Sequence, residues 1–281
     1  MNRLWRIYVF DMRKGFMENR TKIGIAVFVF LFLANVTVSE SIFYSSLGAE
    51  GDGFLGYWMS LLGGMREYIR TDQSTFELPV SWLLFYAYLF YLVGFYPVAD
   101  LYESGTKTLL LSESRNKWMV SKFLWISTMV VLYFLVFAAC LFLNMYFLEG
   151  AWNLGLPELE QKYGIVPGSV GLWQILVIWM VLPVLMSIAL SWLQFALALC
   201  TNAITAYCMS VILLVVSAYW MRPFLPANYL MMMRNRLLSW NGMKTEDGFV
   251  FGAVLLFLSI AAGCLVFRRK DIYKSNVNSY L

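Results

Sequence analysis

The sequence predicts an all-α integral membrane protein with six transmembrane helices, and three observations carry that prediction. Of its 281 residues 60% are hydrophobic and only 14% charged, where soluble domains run near ~45–50% apolar and roughly 25% charged. Apolar runs long enough to cross a hydrocarbon core of about 30 Å recur along the chain. Between Tyr163 and Met221 there are 59 positions without one charge, too long for a single span at about 1.5 Å per residue. The whole chain reads as one transmembrane domain, 1–281.

The first 21 residues read as an amphipathic interfacial helix. Trp5, Val9, Met12 and Phe16 recur at helical spacing, and Arg3, Arg6, Arg13 and Arg20 gather on another face. The same basic residues also serve as a topology signal, and the two readings are compatible. The start does not match a cleaved signal peptide: the basic region is about twenty residues and the apolar run behind it is too long.

Span one is expected at about 23–46. Glu40 lies near its far end, either in a hydrated position or facing a water-filled cavity. The first outer loop, 47–79, carries Phe54, Trp58, Leu61, Leu62, Met65 and Ile69 at helical spacing, which predicts a short helix in the outer interface or roofing a cavity. Span two, about 79–98, is dense in aromatics, with Pro97 at its inner end. Span three is expected at about 123–148. A second outer loop, 149–171, is acidic and holds Pro157 and Pro167.

The uncharged stretch divides at Cys200-Thr201-Asn202, its polar punctuation at the right place. Span four is then about 172–199, kinked at Pro183, and span five about 203–221. A third outer loop, 222–248, holds Arg222, Arg234, Arg236 and Lys244. Span six, about 249–267, stops at Arg268-Arg269-Lys270.

Six spans put both ends on one side. That side holds fourteen of the 21 Lys and Arg residues, the other seven. The positive-inside rule makes it cytoplasmic. No repeat relates spans one to three to spans four to six.

Much chemistry is excluded. With no histidine, there is no Ser/His or Cys/His pair and no H-E-x-x-H helix. Cys140, Cys200, Cys208 and Cys264 form no C-x-x-C pair and read as small apolar residues. No metal site is expected. No phosphate-binding P-loop occurs: Gly105-Thr106-Lys107-Thr108 has the wrong spacing and no preceding strand. No acidic pair inside the membrane suggests a proton relay. The chain is therefore not expected to be an enzyme.

One stretch stands out, Asp100 to Lys122. It carries Asp100, Glu103, Lys107, Glu113, Arg115, Lys117 and Lys122 around an apolar block, Thr108 to Leu111. A simple turn needs about four residues. This stretch reads as a helix lying flat against a partner, or as a solvated loop face with topology signals.

The same stretch resembles the cytosolic coupling region of type-2 ABC exporter permeases, the bacterial family that includes drug, antimicrobial-peptide and lantibiotic-immunity exporters. The resembling residues are Glu103, Gly105 and Thr106, then Leu109-Leu110-Leu111, Ser114-Arg115 and Lys122. Phe267-Arg268-Arg269-Lys270-Asp271 looks like that family's ending, and the layout of spans is similar throughout. The first outer loop departs from it in size and amphipathic character.

The resemblance implies a permease subunit that pairs with a second copy or a related chain in the bacterial cytoplasmic membrane, both termini cytoplasmic. It docks a separate ATPase, which would carry ATP and Mg; no cofactor is expected on this chain. Glu103, Gly105, Thr106, Leu109, Leu110, Arg115 and Lys117 would couple to the ATPase, with Glu103, Arg115 and Lys117 as ion pairs and the leucines as an apolar seat. The aromatic-rich span two suits an amphipathic or apolar cargo such as a peptide, with lipid-linked or drug cargo also open. Trp82, Tyr86, Glu40 and Gln194 are the candidate path residues, though membrane aromatics also serve as packing and anchors, and Gln194 as a helix–helix contact. A secondary transporter and a non-transporting sensor or assembly subunit are the competing readings.

Overall fold

A computed structural model describes residues 3–46, 52–70, 75–103, 115–150, 152–163, 171–239 and 241–269. It is all-helical, with no strand among the described residues. Helix α1 spans Arg3–Ser46, α2 Phe54–Leu62, α3 Val80–Gly94, α4 Tyr96–Glu103, α5 Arg115–Glu149 and α6 Leu156–Tyr163. Helix α7 runs Leu172–Cys200, α8 Ala203–Tyr219 and α9 Thr245–Arg269. Five helical stretches are long and apolar enough to cross a membrane: α1, α3 with α4, α5, α7 and α9; α8 is apolar but shorter, at 17 residues. This is the build of a multi-pass membrane protein.

The expected break between an interfacial helix and span one is not there: α1 is one helix of 44 residues. No proline interrupts it, and one buried stripe continues along it through Ile7, Asp11, Gly15 and Asn19 to Ala26, Phe30, Ala34 and Val38. Steps of four with an occasional three hold such a stripe on one helical face. The stripe expected from sequence points elsewhere, with Trp5 and Phe16 about half exposed.

α1 and α5 run parallel along a long seam. Gly15 makes their approach possible, because a Cβ there would lie 2.5 Å from the Trp125 indole nitrogen. Farther along, Phe30 meets Tyr133 and Phe137 edge-on, with ring centroids 4.9 and 5.2 Å apart. Phe85 of α3 and Trp58 of α2 close around Phe137 at 5.0 and 5.1 Å. This aromatic nucleus is the centre of the core.

α7 and α9 form the second parallel seam. Gly248 and Gly252, four residues apart, let α9 lie close: a Cβ at Gly252 would sit 2.9 Å from Met186, and one at Gly248 3.1 Å from Leu182. Small residues at this spacing are what membrane helices use where dispersion must replace the hydrophobic effect. α7 and α8 meet at the tight turn Thr201-Asn202, where the Asn202 side chain accepts a 2.7 Å bond from the Thr205 amide and caps α8.

Two prolines shape the spans. The α3 to α4 break falls at Phe95, two residues before Pro97, whose ring clashes with the preceding turn. Before Pro183, residues Val177–Val181 of α7 are π-helical. Pro183 has no N–H for the Trp179 carbonyl one turn back, and the Trp58 indole of α2 donates to that carbonyl instead, at 3.1 Å.

Of the two places expected for α2, the outer interface or a roof over the interior, the burial of eight of its nine residues fits the second. Its first amides bond to the carbonyls of Asn153 and Leu154, at 3.0 and 3.1 Å. Gly53 and Gly155 make that crossing possible: a Cβ on Gly53 would stand 2.3 Å from the Gly155 Cα. Lys162 of α6 pairs with Asp52 at 2.7 Å. α2 thus seals the interior at the end opposite the termini.

Candidate functional site

The described residues meet in one buried ionic cluster, at the end that carries the chain's basic majority. Asp11 of α1, Asp100 of α4 and Lys122 of α5 are each fully buried. The Lys122 ammonium donates to Asp11 Oδ1 at 2.7 Å and to Asp100 Oδ2 at 2.6 Å. Lys14, one turn after Asp11, donates to Asp100 Oδ1 at 2.8 Å. Ser121 donates to Asp11 Oδ2 at 2.6 Å, and the Tyr96 hydroxyl to Asp11 Oδ1 at 3.3 Å. The Tyr96 and Trp118 rings flank the ammonium, with centroids 4.8 and 5.2 Å away.

Helical spacing assembles these groups. Trp118, Ser121, Lys122 and Trp125 share one face at the start of α5. Tyr96 and Asp100 are one turn apart on α4, and Asp11 belongs to the buried stripe of α1. Two buried carboxylates stand against two ammonium groups, and Lys14, partly solvated, also pairs with Glu18 at 3.5 Å. Buried charge of this kind is tolerable because every partner is present. Ammonium groups occupy the space between the carboxylates, and among the described residues no cluster of acids, cysteines or histidines could hold a metal ion. The arrangement joins three helices, α1, α4 and α5.

The joint brackets the stretch singled out from sequence, and the structure divides that stretch. Asp100 to Glu103 end α4, and Arg115 to Lys122 are the first two turns of α5, which begins eight residues before the expected start of span three. Gly105, Thr106, Leu109 and Leu110 lie outside the described residues. Glu103 is the last residue of α4. Arg115 donates to the Phe267 and Arg268 carbonyls, at 3.1 and 3.0 Å, and so ties α5 to the end of α9. This is a favourable place for a cation, since helix C-termini leave carbonyls unpaired. Trp118 stacks on Phe267 beside it, with centroids 4.9 Å apart. Lys117 is half-buried in the same turn.

Three of the four residues expected along a path lie along α3, and the fourth does not join them. Trp82 is buried in α3 and donates to the Leu230 carbonyl at 3.2 Å. Tyr86, also buried, packs on Trp82 and Phe85. Gln194 of α7 donates to the Phe90 carbonyl at 3.2 Å and presses on Gly94. These three are packed core rather than the wall of an open passage. Glu40 is exposed on α1, away from them.

At the opposite end Arg234 is buried and bound by oxygen alone. It donates to the Met65 carbonyl at 3.1 Å and the Ala218 carbonyl at 2.6 Å, and also to the Ser217 carbonyl and Asn228 Oδ1. Ser217 and Ala218 are in the last turn of α8, so Arg234 caps that helix. Burial pulls its guanidinium down to about 10, which leaves it charged at neutral pH. One of the basic residues that weakened the charge asymmetry is therefore structural.

Asp11 and the joint it completes were missed from sequence. The available signal was an acid on the apolar face of the first helix, one of two acids amid six basic residues in positions 1–22. Residues 63–273 match the family described as Protein of unknown function (DUF2705), and the chain belongs to that family. No curated protein and no solved structure matches the chain significantly.

Proposed function

We propose that this DUF2705 family member is the membrane-embedded permease subunit of an exporter driven by ATP on a separate subunit. The observation that best supports the reading is the ionic joint. In sequence, segment 104–114 begins four residues after Asp100 and ends eight before Lys122, and both residues are held by Asp11 and Lys14 of α1 or by each other. A push on the segment would pass directly to α1, α4 and α5, and through Arg115 to α9. A coupling element needs that stiffness.

In this reading the basic end faces the cytoplasm of a bacterial cell, both termini included. ATP and Mg bind the partner ATPase. Glu103 and Lys117 make the ion pairs to it, and Leu109 to Leu111 form the apolar seat. Arg115 carries the motion to α9. Two copies, or this chain and a related one, frame the path for an amphipathic or apolar cargo, most simply a peptide. Because Trp82, Tyr86 and Gln194 are packed within one chain, the path uses faces between copies. A second reading, a non-transporting subunit that only holds a soluble partner, is favoured by the sealing of the interior under α2.

The test is co-expression with candidate ATPase subunits, purification in lipid, and measurement of ATP hydrolysis for the wild type and Glu103→Lys. The exporter reading expects an ATPase to co-purify and the substitution to release or uncouple it. An ATPase that binds but turns over identically with and without this chain supports the holding subunit. A chain that purifies alone sinks both.

A further inference from the structure

Away from the joint, at the opposite end, a cavity of about 960 Å³ opens between the start of α7 and the start of α9. Its apolar wall is Trp173, Val177 and Phe249; its charged lining is Arg236, Lys244 and Glu246. Drug-sized ligands occupy cavities of roughly 300–1,000 Å³, so the space is ample for a headgroup and the first part of an acyl chain.

We infer that this cavity binds an anionic phospholipid of the surrounding bilayer, its phosphate between Arg236 and Lys244 and its chain against Trp173, Val177 and Phe249. Three observations carry this. Arg236 and Lys244 are both exposed and make no ion pair among the described residues, unlike the buried and fully bound Arg234. The one acid, Glu246, stands in the first turn of α9, where an acid complements the helix dipole. The apolar wall is continuous with membrane-facing surface: Trp173 is 79% exposed, and Val181 and Val250 beyond it 50% and 65%. An occupant can therefore enter sideways from the lipid, and the indole lies where tryptophan anchors membrane proteins, at the headgroup level. The inference needs only that the chain is embedded in a membrane, and stands whether or not an ATPase binds.

The experiment uses the full chain in mixed micelles of phosphatidylglycerol or phosphatidylcholine, with retained lipid counted by native mass spectrometry. The wild type should retain phosphatidylglycerol at least about five-fold over phosphatidylcholine. R236Q/K244Q should lose the preference, R222Q, with its charge outside the cavity, should keep it, and E246Q should raise it. A preference that survives R236Q/K244Q overturns the assignment, as does a wild type without preference. Displacement of phosphatidylglycerol by millimolar inorganic phosphate would also overturn it, showing a site for small free anions. Should R236Q/K244Q fail to fold, E246Q still decides: retention that does not rise contradicts the proposal.

Discussion

The two ends of the molecule each bury a cation, and they hold it in opposite ways. Lys122 is neutralised by carboxylates from two other helices. Arg234 meets only neutral oxygens, most of them carbonyls at a helix end and in loops. The first arrangement joins three helices through opposite charges, so removing one partner strands the others in a low dielectric. The second caps a helix and pins loops, so its strength lies in the number and direction of its donors. An ionic joint suits an element that transmits motion, and a capped, sealed end suits one that stays still.

The largest expected effect is at the joint. Lys122→Met leaves Asp11 and Asp100 facing each other and should cost about 3–5 kcal/mol, read as a lowered thermal midpoint in detergent. Removing the three fully buried charges (Asp11→Asn, Asp100→Asn, Lys122→Met), with the partly solvated Lys14 left beside Glu18, should recover most of that loss, since neutral replacements of buried ion sets are often tolerated. If the triple variant is as unstable as the single one, the cluster is not held by charge balance.

Next comes the other end. Arg234→Lys keeps the charge but cannot reach its several acceptors at once, and should cost about 1–3 kcal/mol in the same assay. An unchanged midpoint would remove the distinction between the ends. Trp58→Phe leaves the Trp179 carbonyl without its donor beside Pro183 and should cost about 1 kcal/mol. Smallest is Lys14→Gln: its ammonium is partly solvated, and the loss should be about 0.5 kcal/mol or less.

How much of this was readable in the sequence follows from the kind of signal each feature leaves. Hydrophobic length pointed to the five membrane-length helical stretches, and the polar break at Cys200-Thr201-Asn202 to the turn between α7 and α8. The position of α2 could not be read, because an apolar stripe looks the same against a membrane interface as in a core. Its burial depends on Gly53 crossing Gly155, a contact between residues a hundred positions apart. The start of α5 was set too late because the charges of Arg115, Lys117 and Lys122 look like loop residues. Arg115 is in fact spent on the carbonyls of α9, and Lys122 on Asp11 and Asp100. Those partners lie on other helices, so no local pattern marks them. The aromatic face of α3 was visible, but whether Trp82 and Tyr86 meet cargo or neighbours depends on packing.

The central claim is that the joint passes work between the 104–114 segment and the spans. Its most direct test is ATP hydrolysis by the lipid-reconstituted complex, wild type beside that triple variant. The account predicts that the variant folds and keeps its ATPase, yet loses the permease's influence on turnover. A triple variant that regulates hydrolysis as the wild type does would make the joint a structural staple and contradict the claim.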